Sequence, residues 1–89
     1  MTEDAIRNII RQLEAEKYLN AIQFLQDEIL KIEVESGPAD SAPPSARRKI
    51  RNISSVIEKI SEAAAFGNEW DEGLRAKKAA VDRLQKLIR

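Results

Sequence analysis

All three prolines of this 89-residue chain fall within one segment, Ser36-Gly37-Pro38-Ala39-Asp40-Ser41-Ala42-Pro43-Pro44-Ser45. Proline inside a helix removes a backbone hydrogen bond and clashes with the preceding turn, and no side chain here is larger than that of Asp or Pro. The segment can therefore neither continue a helix nor bury much surface. On both sides of it helix formers dominate, and no four-residue stretch alternates apolar and polar side chains with the β-branched residues a strand favours. The expectation is an all-α single domain, a small bundle of three or four helices in antiparallel hairpins. It comprises an acidic helical half over 1–35, a loop over 36–45, and a helical hairpin over 46–66 and 69–89.

The first half carries two apolar faces. Thr2 is placed to cap a helix whose first turn holds Glu3 and Asp4, the charge that the positive end of the helix dipole favours. Ile6, Ile9, Ile10 and Leu13 share one side of that helix. Tyr18, Ala21, Ile22, Leu25, Ile29 and Ile32 cluster on a side rotated by about 120° from the first. Two arrangements satisfy this pattern: a bend or short turn between Glu14 and Asn20, or one continuous helix held by different neighbours along its length.

In the second half, Pro44-Ser45 offers an N-cap. Ala46, Ile50, Ile53, Ile57, Ile60 and Ala64 then follow the 4-3-4 spacing of a seam that packs on another helix. Gly67 should end that helix. Asn68, followed by Glu69, Asp71 and Glu72, reads as a new cap and acidic first turn. The last helix would present Trp70, Leu74, Val81, Leu84, Leu87 and Ile88, and the short Gly67-Asn68 link forces a hairpin.

The chain holds no His and no Cys. Zinc, haem, copper and iron–sulfur sites of the usual kinds, a Ser-His-Asp triad, a Cys nucleophile and disulfides are thereby excluded. Three scattered glycines form no phosphate-binding loop. Glu58/Glu62 and Glu69/Glu72 are in helical register, but a di-iron bundle also needs Glu-x-x-His, so they read as solvated or dipole-complementing carboxylates. We expect no catalytic residue, metal or cofactor. The acidic start of the chain matches no secretory signal, and no stretch approaches the ~18 apolar residues of a membrane span, which points to a cytoplasmic protein without a membrane partner.

Charge sums to zero but is unevenly placed. Residues 1–45 hold four basic and nine acidic side chains, net −5, and residues 46–89 hold eleven and six, net +5. Contact between an acidic and a basic half, within one subunit or between two, follows from this. Arg47, Arg48, Lys49 and Arg51 sit in the first turns after Ser45, where cations oppose the helix dipole. The favoured expectation is internal pairing with Glu33 and Glu35 across the loop. The second is an anion site for a phosphate, a nucleic-acid backbone or an acidic partner.

Tyr18, Phe24, Phe66 and Trp70 are the only aromatics, so Ile, Leu and Ala must fill the core. Trp70 is expected to cover the bundle end against Phe66, with a partner surface as its second reading. Phe24 lies off the main stripe and is the better contact residue. Together with Tyr18, Leu25 and Ile29 these two make up the candidate interface. Ile9-Ile10-x-x-Leu13 followed by Tyr18, Leu25 and Glu28 is similar in spacing to the LisH motif, a short helical dimerisation element, with Lys17 where that motif usually has Gly. The resemblance implies dimerisation; we assign the chain to no family on these residues.

A chain this short buries only roughly 60–65% of its unfolded surface, which makes a second subunit or a partner attractive. The sequence thus predicts a non-catalytic interaction or assembly module that self-associates or binds a protein partner, as an adaptor or regulatory protein. Its alternative is an accessory protein that captures nucleic acid or a phosphorylated small molecule through Arg47, Arg48, Lys49 and Arg51.

Overall fold

A computed structural model describes residues 1–38, 41–67 and 70–87. These form four helices and no strand: α1 (Glu3–Glu14), α2 (Tyr18–Ser36), α3 (Pro44–Phe66) and α4 (Asp71–Lys86). Each helix packs on two others, in the ring α1–α2–α3–α4–α1. The bundle measures 41 × 24 × 19 Å. Ile6, Ile9 and Leu13 of α1, Ala21 and Leu25 of α2, Ile53, Val56 and Ile60 of α3, and Ala80 and Leu84 of α4 meet in one buried cluster.

Of the two arrangements open to the first half, the break is the one found, at Ala15–Lys17. The Thr2 hydroxyl accepts from the Ala5 N–H at 3.2 Å and starts α1. At the other end the Lys17 N–H donates to the Gln12 carbonyl at 2.8 Å and the Glu16 N–H to that of Leu13 at 3.1 Å. This pair of bonds is a Schellman ending, and it requires a left-handed residue, here Glu16 with φ 63°. A side chain in that conformation costs roughly 1–2 kcal/mol, the reason Gly usually stands there. The turn lets both apolar faces of the first half reach the same core.

α3 starts two residues earlier than the cap at Ser45 implies. Pro44 takes the first helical position, where its missing N–H costs nothing, and Pro43 stands at the cap without a side-chain bond. The seam also shifts. Ile50 and Ile57 are half-buried and Ala64 is exposed, while Val56 and Ala63 are buried. α3 is held from two sides, by α2 and α4, and so needs a wider apolar face than a two-helix seam provides.

α4 departs further from expectation. Leu84 is buried as predicted and Val81 and Leu87 are half-buried, but Trp70 and Leu74 are exposed; Gly73, Ala76 and Ala80 are buried in their place. Small residues on this face let the α4 backbone lie close to α3. The approach is tightest at the hairpin, where a Cβ on Gly73 would stand 1.9 Å from the Gly67 carbonyl oxygen. Gly67 itself ends α3 with φ 73° and ψ −179°, a conformation nearly reserved for glycine. Farther along, Arg83 of α4 donates to the Ser55 carbonyl of α3 at 3.3 Å and to the Ser55 hydroxyl, which pins the antiparallel register. Asn68 and Glu69, expected to cap α4, and Ile88 lie outside the described residues.

Candidate functional site

α2 is built from more apolar residues than one buried face can use. Ala21 and Leu25 are fully buried, with Ile22, Ile29 and Ile32 half-buried beside them. At 100° per residue, Leu30 and Val34 stand about 180° from Ala21 and Leu25. They face outward, 58% and 78% exposed, with Leu19 on the same side at 79%. Leu30, Val34 and the half-buried Phe24 line a shallow groove of 430 Å³ along the outside of this one helix. Its other lining residues are Asp27, Glu28, Lys31 and Glu35. Lys31 pairs with Glu28 at 3.3 Å, and Asp27 accepts from the Gln23 amide at 3.1 Å, which leaves the groove acidic at its rim.

A second exposed apolar group sits at the α3–α4 corner. Trp70 is 64% exposed, and Phe66 and Leu74 are about half exposed. Trp70 therefore does not seal the bundle end. Beside it the backbone at Gly73 approaches Gly67 so closely that a side chain there would not fit. On the helical wheel Trp70 and Leu74 share one side, with Lys77 and Lys78 flanking them, while Val81 farther along is half-buried against the chain's own core.

Arg47, Arg48, Lys49 and Arg51 are all exposed. The expected pairing with Glu33 and Glu35 does not form. Among the described residues the ion pairs are Arg7–Glu3, Lys31–Glu28 and Lys59–Glu62, each within a single helix. The antiparallel run of α2 and α3 places Glu28 and Ile32, rather than Glu33 and Glu35, opposite the cluster. Arg48 and Lys49 instead edge a cleft of 510 Å³, joined by Lys86 from the last turn of α4. Ile32, Ile53 and Leu87 supply apolar wall, and Ser45, Asn52 and Glu28 supply polar groups. Arg47 and Arg51 do not line it.

No protein-family model, curated protein or solved structure matches this chain.

Of the five interface residues read from sequence, Trp70 is the one the structure leaves largely free. Leu25 is fully buried in the chain's own core, so it cannot meet a partner. It lies on the inner face of α2, a quarter turn from Phe24, and sequence spacing alone does not say which side faces inward. Tyr18, Phe24 and Ile29 are half-buried against the same core. Leu19, Leu30 and Val34 went unpredicted, although they are the apolar residues left over once the inner stripe of α2 is assigned. Lys86 belongs with them as well: the antiparallel hairpin expected from the short Gly67-Asn68 link already brings the end of α4 beside the start of α3, and α2 closes the cleft over both. Among the described residues no three carboxylates converge on a metal position, and no helix is long and apolar enough to cross a membrane.

Proposed function

We propose that this chain is a non-catalytic helical assembly module that self-associates and serves as an adaptor or regulatory binding protein. The observation that carries the reading is α2, apolar on two opposite faces when a single bundle can bury one. Large apolar side chains grouped on a surface mark interaction sites, and Leu19, Leu30 and Val34 are such a group. Opposite net charges on the two halves favour contact between copies. Sedimentation equilibrium on the full chain tests this: mass should rise with concentration across the micromolar range. A constant monomer mass would sink the reading.

A second reading has its own support in the cleft edged by Arg48, Lys49 and Lys86. Three cations outnumber the one carboxylate that lines the cleft, Glu28, which pairs with Lys31; a phosphorylated small molecule with an apolar part would offset their repulsion and cover the Ile32, Ile53 and Leu87 wall. Phenyl phosphate titrated against the chain, followed by amide chemical shifts, should move the resonances of residues 48–53 and 86–87 in a salt-sensitive way. Shifts spread evenly over the surface, or none, would remove it.

A further inference from the structure

We propose that the outer stripe of α2 receives the exposed Trp70–Leu74 pair at the start of α4 from a second copy of this chain, so that subunits join head to tail. The inference rests on the self-association reading and names the two surfaces that meet. Pairing of α2 with its own copy is opposed by charge, since this helix holds Asp27, Glu28, Glu33 and Glu35 against Lys31 alone. The complementary surface must be apolar and cationic. Among the described residues, the remaining group of large exposed apolar side chains is the one at Phe66, Trp70 and Leu74. Lys77 and Lys78 flank its α4 stripe and would face Glu33 and Asp27, which flank the Leu30–Val34 stripe on its two sides.

Length agrees as well. Leu30 to Val34 runs about 6 Å along α2 and Trp70 to Leu74 about 6 Å along α4, so the two exposed pairs match in length. The contact cannot form within one chain, because α2 and α4 occupy opposite corners of the four-helix ring. A contact between two different surfaces leaves one of each unused at the ends of a pair, so growth continues into a ring or an open chain.

The test uses the full chain and two double variants, Leu30→Lys/Val34→Lys and Trp70→Glu/Leu74→Glu. All four positions are exposed, so circular dichroism should show helicity and melting unchanged. In sedimentation equilibrium each variant alone should associate at least about tenfold more weakly than the parent. Mixed in equal amounts, they should form a 1:1 pair and nothing larger, because each retains the surface the other has lost. A mixture that stays monomeric overturns the proposal, as does an α4 variant that associates like the parent. If both variants associate like the parent, self-association stands and this pairing falls; if the parent itself is monomeric, the self-association reading falls first. Should a double variant unfold, charge reversal decides: Lys78→Glu and Asp27→Lys should each weaken association, and their mixture should restore it. Failure of that restoration would also overturn the pairing.

Discussion

The two sides of the bundle are packed with opposite materials. α1 and α2 bring Ile6, Ile9, Leu13 and Leu25 inward, branched side chains whose bulk fills the core. α4 meets α3 through Gly73, Ala76 and Ala80, where the backbones themselves approach. The first side should fail when a side chain is shortened, the second when one is lengthened. The contrast also explains why the leftover bulk lies on the outside: with Gly and Ala facing α3, α4's tryptophan and Leu74 are turned to the surface.

Truncation on the first side gives the largest effect. Leu25→Ala removes a fully buried side chain from the middle of the core and should lower stability by about 3 kcal/mol, measured by urea denaturation. On the second side Gly73→Ala adds a single methyl group and should cost about 2–3 kcal/mol in the same assay, because the Gly67 carbonyl must move away. If Gly73→Ala were neutral, the close backbone approach at the hairpin would be wrong. Arg83→Ala should cost about 1 kcal/mol, through the lost bonds to Ser55 and a register less firmly held. The smallest expected change is a gain. Glu16→Gly relieves the left-handed conformation at the α1–α2 turn and should raise stability by about 0.5–1 kcal/mol, seen as a melting midpoint a few degrees higher.

Much of the fold was legible because its signals are local. Clustered prolines, the Thr2 cap, Gly67 and the absence of strand patterns depend on residues within a few positions of one another. The break near Ala15 was legible as one of two options, since two apolar faces on one segment require either a turn or a second neighbour. Its exact place was not, because Glu16 is an unusual left-handed residue and no glycine marks the spot. Residue size does not mark the inner face of α4, because Gly73 and Ala80 are buried for being small. The basic cluster pointed to a real concentration of charge, yet its pairing with Glu33 and Glu35 depended on how α2 and α3 align, which the loop length does not fix.

By itself the sequence determined that this chain is helical, that it is interrupted at the proline segment and at Gly67, that it holds no His and no Cys, and that it is charged in opposite senses along its length. Each of these follows from residue chemistry or from neighbours in the chain. Tertiary structure decided which sides of α2 and α4 are left uncovered, and that Arg48, Lys49 and Lys86 edge one cleft. Those facts depend on which helix packs on which and how closely, and helix spacing is set by the side chains of both partners at once.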